Sequence, residues 1–155
     1  SKGGKHAYML LEECVPPVPD ITKDEALARL ARNYFRSHTP ATLQDFVWWS
    51  GLSVTEAKQG IYLMGSELTE EQWKGQTWYL HESGRTRGSI KGHIRFLPPY
   101  DELLLGYKDR TDVLSSEHCS KAFTRNGLFF PVILYEGQIV GNWDRKVKRN
   151  GCDPG

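Results

Sequence analysis

The pattern of this 155-residue chain predicts an α+β fold, with a winged helix-turn-helix ahead of a β-rich region. Three observations predict it. Three consecutive stretches carry apolar residues at helical spacing, each opened by an N-terminal capping signal. A strand–turn–strand pattern follows them directly, and the order helix, short helix, helix, hairpin is that of a winged helix. A second, longer hairpin pattern lies far downstream, beyond a basic, glycine-bearing stretch.

Taken in chain order, Ser1 to Lys5 is small and basic and is expected to fray. His6 to Val15 reads as a strand, stopped by the Pro16, Pro17 and Pro19 cluster, which supplies a stiff linker. Thr22 and Glu25 form a capping box for the first long helix. Ala26, Leu27, Leu30, Ala31, Tyr34 and Phe35 make its apolar stripe and leave Lys23, Arg29, Arg32 and Arg36 toward water. His38, Thr39 and Pro40 end it. Thr42 opens a short helix to Ser50 with Asp45 in the third helical position, and Gly51 closes it. Ser53 and Glu56 cap a third helix from Val54 to Met64, with Val54, Ala57, Ile61 and Met64 on one stripe.

Glu67 to Trp73, a turn at Lys74 and Gly75, and Gln76 to Leu80 read as a hairpin. From Ser83 to Arg95 the chain has four cations, three glycines and no acid, the mark of a linker or mobile loop. Ile94 to Leu97 reads as a strand, Ser116 to Phe123 as a short helix, and Phe129 to Tyr135 with Gln138 to Trp143 as a hairpin around Glu136 and Gly137. A continuation of that last strand through Lys146 and Val147 is expected. The unpaired strands at both ends suggest a piece of a longer protein.

Composition excludes several classes. With 39% hydrophobic and 25% charged residues the chain is not disordered. It has no run of about 18 apolar residues for a membrane span, and no secretory signal pattern. Lys and Arg total 20 against 19 Asp and Glu, so any polyanion affinity must come from local charge. Three cysteines, Cys14, Cys119 and Cys152, with no close pair, read as reduced thiols in a cytoplasmic protein. His6, His38, His81, His93 and His118 are scattered without metal-site spacing, so neither a metal nor another cofactor is expected.

Three stretches resemble a bacterial winged-helix family whose best-known members are DNA glycosylases that unhook interstrand crosslinks and remove alkylated bases. They are NYFRSHTPATLQDFVWWSGL from Asn33 to Leu52, FLPPYDELLLGYKDR from Phe96 to Arg110, and NGLFFPVIL from Asn126 with GQIVGNW from Gly137. They fall in the family's order and span most of the chain. Relatives of this kind are about twice as long, with tandem winged helices and a β-barrel. The resemblance therefore implies a later winged helix over residues 19–83, after a strand and linker over 1–18. A basic linker over 84–93 and a partial barrel over 94–155 would complete the chain. The family's catalytic Gln-containing motif belongs to an N-terminal region and has no counterpart here, since Gln44 and Gln138 lie in other neighbourhoods. The expected role is double-stranded DNA binding, with missing N-terminal domains completing a monofunctional glycosylase that hydrolyses an N-glycosidic bond. The chain alone is not expected to be active.

Thr55, Lys58, Gln59 and Tyr62 form the polar face of the third helix, suited to phosphates or base edges, or simply to water. Lys74 and Gln76 of the hairpin are candidate groove contacts, with Trp73 beside them either a wedge or a packing residue and Trp78 expected in the core. Arg85, Arg87, Lys91 and Arg95 form the strongest local cationic footprint, or equally a flexible solvated linker, and Arg145, Lys146, Lys148 and Arg149 a weaker one. Thr42, Gln44, Lys108 and Arg110 complete the candidate DNA contacts. Trp48 and Trp49, about 100° apart on a helix, cannot both face one partner, and at least one belongs in the core. Asp101 and Glu102 are weak candidates for acid–base chemistry, with a structural ion-pair network beside Lys108 and Arg110 the plainer alternative. The rival functions are a non-catalytic DNA-binding or regulatory protein and a protein-interaction module on the same scaffold.

Overall fold

A computed structural model describes residues 8–15, 20–84 and 89–146. Helix α1 is a single turn, Leu11–Cys14, where the sequence predicts a strand. A strand needs a ladder partner for its backbone groups and none of the described residues lies beside this segment as one, whereas a turn of helix satisfies them locally.

Helix α2 (Lys23–Ser37) starts where Thr22 accepts the Glu25 N–H at 3.2 Å. It buries Leu27, Ala31, Tyr34 and Phe35. Strand β1 (Ala41–Thr42) leads into α3 (Leu43–Ser50), whose capping box joins Thr42 and Asp45 reciprocally; Gly51, at φ 70°, closes it. Ser53 and Glu56 cap α4 (Val54–Met64) in the same way. Helices α2 and α4 pack closely because residue 60 has no side chain: a Cβ there would stand 3.0 Å from the Leu27 carbonyl oxygen. Strands β2 (Leu68–Trp73) and β3 (Gln76–His81) turn at Lys74 and Gly75, both with positive φ, and the sheet order is β1-β3-β2. Tyr34, Phe35 and Phe46 are fully buried at the centre of this unit.

The second unit is an antiparallel sheet of β4 (Ile94–Leu97), β5 (Val132–Tyr135) and β6 (Gln138–Asn142), in that order. The one-turn helices α5 (Glu102–Leu105) and α6 (Cys119–Ala122) pack with it. Its core is Leu104, Leu114, Ala122, Val132 and Ile139. The expected partial barrel is not seen: among the described residues the sheet is open, with strands of four or five residues and no closing partner. Nor does β6 continue to Lys146. Val132↔Asn142 is the last pair of the ladder, because Pro131 has no N–H to donate; Val147 lies outside the described residues. No helix of the described residues is long and apolar enough to cross a membrane.

Candidate nucleic-acid interface

Helix α4 turns Ala57, Gly60 and Met64 inward, which sets Thr55, Lys58, Gln59 and Tyr62 outward together. All four are exposed, and Tyr62 is 78% exposed. The aromatic ring costs free energy in water, and no neighbouring element covers it. At the start of the helix Glu56 is held by Ser53 and by Lys23 at 2.8 Å. The Lys23 ammonium and the Ser53 bonds bring its carboxyl down to about 2.

The hairpin tip carries Lys74, whose ammonium lies 2.7 Å from Asp112 and 4.2 Å from the centre of the Trp73 ring. Trp78 meets Trp73 edge to face at 5.5 Å and donates its indole N–H to the Trp73 carbonyl. Trp78 is half-buried and Trp73 exposed. Gln76 and Gln44 are exposed beside them and line a cleft of about 530 Å³ that also takes in Lys108, Asp109 and Thr111.

Arg85, Arg87, Lys148 and Arg149 lie outside the described residues. Lys91 is exposed, and its turn is anchored where the Gly92 N–H donates to the Glu136 carboxylate at 2.7 Å. Arg145 and Lys146 are exposed.

Four of the sequence-derived candidates are engaged by other groups of the protein itself. Thr42 is only 8% exposed and its hydroxyl donates to Asp45 at 2.6 Å, so the cap consumes it. Arg110 is half-buried against the rings of Trp48, Phe123 and Phe129 and donates to the Leu104 carbonyl. Burial draws its guanidinium below the ordinary range. Asp101 caps α5 through the Leu103 N–H, 2.9 Å away, and Glu102 lies 3.3 Å from His38 Nε2. Neither carboxylate pairs with Lys108 or Arg110, so the expected ion-pair network is absent among the described residues. Arg32, expected in water, forms a bidentate pair with Glu67.

Sequence reasoning passed over the residues that set the two units against each other. Buried Asp45 receives the Thr42 N–H and hydroxyl on one oxygen and the Lys108 N–H, at 2.8 Å, on the other. Tyr34 Oη donates to the Gly106 carbonyl at 2.9 Å, and Trp48 Nε1 to the Leu105 carbonyl at 3.2 Å. His38 stacks on Tyr34, with ring centres 4.6 Å apart. A Cβ on residue 106 would stand 2.4 Å from the His38 ring, so Gly106 admits the contact. The capping pattern at Thr42 and Asp45 was the only signal in the sequence, and it announced a cap rather than a junction.

The arrangement offers two surfaces to a polyanion: the polar face of α4, and the cleft under the hairpin tip. The chain is 30% identical over 128 residues to the interstrand DNA cross-link repair glycosylase of Streptomyces sahachiroi, covering 78% of this chain and 34% of the relative. The solved structure of the Streptomyces sahachiroi DNA glycosylase AlkZ superposes with a TM-score of 0.66 at 29% identity, over 78% of this chain and 34% of that one. This chain thus spans about a third of the length of the relatives it matches. The family described as DNA glycosylase AlkZ-like matches residues 1–152, which takes in both units and the cleft between them. The chain belongs to the AlkZ-like DNA glycosylase family.

Proposed function

We propose that this chain is a duplex-DNA-binding part of a DNA glycosylase-like repair protein acting in the cytoplasm. Residues 19–83 serve as a winged helix, 84–93 as a basic linker and 94–155 as a supporting β-rich region. The observation that carries this reading is the outward face of α4, where Thr55, Lys58, Gln59 and Tyr62 stand exposed together on a helix held rigidly from behind. Lys58, Lys91 and Lys108 meet phosphates, and Gln44, Gln59 and Gln76 hydrogen-bond to backbone or base edges. Arg85 and Arg87 add to the cationic side. The chemistry assigned to a complete protein of this family is hydrolysis of the N-glycosidic bond of a damaged base, and this chain contributes grip and orientation. Asp101 is occupied by a helix cap and Glu102 lies beside His38, which supports a positioning role for them over acid–base chemistry.

Salt-titrated fluorescence anisotropy with a labelled duplex tests the reading. Binding should weaken steeply with salt, because cations meeting phosphates release counterions. Replacing Arg85, Arg87 and Lys91 together by Ala should lower affinity and flatten the salt slope by roughly one unit per lost phosphate contact. Lys58→Ala should do so for α4. Equal affinity in both variants overturns the assignment. A protein-interaction role has one observation in its favour, the exposed Ile94, Phe96, Tyr135 and Val140 on the second sheet. Salt-independent binding lost with Phe96→Ala would support it instead.

A further inference from the structure

A recess of about 220 Å³ lies on the sheet unit, between α6 and the rim of β6. Its floor is Ala122, Val132 and Ile139, all buried. His118 and Lys121 wall one side, and Val140 to Asn142 the other. These walls are tied together. Asn142 donates its amide N–H groups to the Lys121 carbonyl at 2.9 Å and to the Pro131 carbonyl at 3.0 Å. The Phe130 N–H holds the Ala122 carbonyl at 2.9 Å. Both partners of Asn142 are carbonyls, so its amide nitrogen faces them and its amide oxygen stays open to another donor. The bridge joins α6 to the chain entering β5 and closes that end of the recess.

Among the described residues no carboxylate lines this recess. The acids nearest in sequence are occupied elsewhere: Glu117 accepts the Ser115 hydroxyl at 3.1 Å, and Asp144 accepts the Arg145 N–H at 2.7 Å. His118 and Lys121 are exposed, and no acid of the described residues lies within salt-bridge distance of either. Arg145 and Lys146, exposed just past the rim, add to the positive field at the closed end. Strand β6 is the last of its sheet, and Ile139 already gives its N–H outward, to the Val113 carbonyl at 2.7 Å. Such a rim offers backbone groups to an extended chain. The volume falls below the roughly 300 Å³ at which small-molecule sites begin, so the recess has room for a side chain rather than a cofactor. A duplex phosphate has no apolar body to rest on the floor. An apolar floor, donors without acids, a strand rim and a closed end together fit the end of a polypeptide.

We propose that this recess takes the carboxyl terminus of a partner protein whose last residue is apolar. The last side chain rests over Val132 and Ile139, and the terminal carboxylate meets Lys121 and His118. The Asn142 amide oxygen and the rim of β6 hold the main chain. The site goes beyond the DNA-binding reading. It shares no residue with the outward face of α4 or with the cleft under the hairpin tip, so each can fail alone. A partner already on DNA would use it to bring this protein there.

The test uses the whole chain and a fluorescein-labelled peptide ending in Asp-Asp-Leu with a free carboxylate, read by anisotropy. Three further peptides differ only at the end: a terminal amide, a Gly-Gly extension, and Ser in place of the last Leu. The first peptide should bind about tenfold more tightly than each of these, the worth of one charge-assisted hydrogen bond or one buried apolar side chain. Lys121→Gln should cost a similar factor and His118→Gln a smaller one. Val140→Glu, on the exposed rim, should weaken binding by repelling the carboxylate. Duplex affinity should be the same in wild type and Lys121→Gln. Equal binding of the four peptides, or of the first and the extended one, overturns the site. So does an unchanged affinity in Lys121→Gln and Val140→Glu chains that fold by circular dichroism; if neither folds, the four peptides on wild type decide. A duplex that displaces the peptide and loses affinity in Lys121→Gln would make the recess a phosphate contact and overturn it too. Binding of no peptide refutes the site and leaves the DNA-binding reading standing. Discrimination among the peptides without duplex affinity would sustain the site and refute that reading.

Discussion

The two units of this chain solve the problem of burial in opposite ways. The helical unit, α2 to β3, wraps its core completely: Tyr34, Phe35 and Phe46 have no exposed surface, and their rings pack at 5.1 to 5.4 Å. The sheet unit, β4 to β6, buries one face on Leu104, Leu114 and Ala122, and among the described residues its other face is largely open, with Ile94 and Phe96 58% and 64% exposed. Helices of 8 to 15 residues with good caps enclose most of a core, against which Tyr107 of the other unit also packs. Four-residue strands with one-turn helices cover only one side. The self-contained unit supplies a rigid base for α4, and the sheet unit holds the far wall of the cleft.

The sharpest way to break this comparison is a matched pair of aromatic truncations. Phe46→Ala should cost about 3–5 kcal/mol, the range for emptying a buried aromatic site. Phe96→Ala on the bare face should stay within about 0.5 kcal/mol, as surface substitutions do. Urea unfolding followed by circular dichroism measures both, and similar costs would mean that the bare face is covered in solution.

The junction comes next. Asp45→Ala strips the acceptor from the Thr42 N–H and hydroxyl and from the Lys108 N–H, all buried or half-buried. The expected cost is about 1–3 kcal/mol. Hydrogen exchange should show that it loosens residues 102–112 more than α4. Uniform loosening would show that the two units unfold as one.

High pH separates the units more gently. Burial pushes the Tyr107 hydroxyl up to about 12 and raises that of Tyr34 as well. A phenol whose folded pKa lies above its unfolded value near 10 gives stability that is complete below pH 10. That stability is lost as pH rises through the folded value. Stability should therefore fall between pH 10 and about 12, and Tyr107→Phe should flatten the decline. An equal decline in both proteins would assign it to other groups.

The smallest expected effect lies at the start of α4. The Glu56 carboxyl is depressed to about 2, so its contribution is present above the unfolded value near 4.5. It fades as pH falls through the folded one. Wild type should exceed Glu56→Gln slightly in melting temperature above pH 4.5, and the two should converge near pH 2. High salt should shrink the gap, because the pair with Lys23 is exposed.

Legibility followed the range of the interactions. Thr42 with Asp45 and Ser53 with Glu56 were readable because a cap is made within four residues. The turn at Lys74 and Gly75 was readable for the same reason. The inside–outside sorting of α4 followed from helical periodicity except at Val54, which the stripe placed inward and which stands 44% exposed in the first turn. The segment before Pro16 was misread because Leu11 to Cys14 fits either a strand or a helical turn, and the choice depends on whether a neighbour offers a ladder. The barrel failed similarly, since closure depends on strands meeting across the fold. Lys74 looked available for DNA, yet Asp112, 38 residues away, already pairs with it.

By itself, then, the amino-acid order settled where α2, α3 and α4 begin, which of their residues face inward, and where both hairpins turn. These outcomes rest on bonds and periodicities only a few residues long. Tertiary structure alone decided that Arg110 is spent internally against Trp48, that Asp45 and Tyr34 join the units, and that Trp78 and Lys108 share a cleft. Each of those depends on groups far apart in the chain meeting within a few ångströms. No local preference records such a meeting; only the packing of the two cores brings it about.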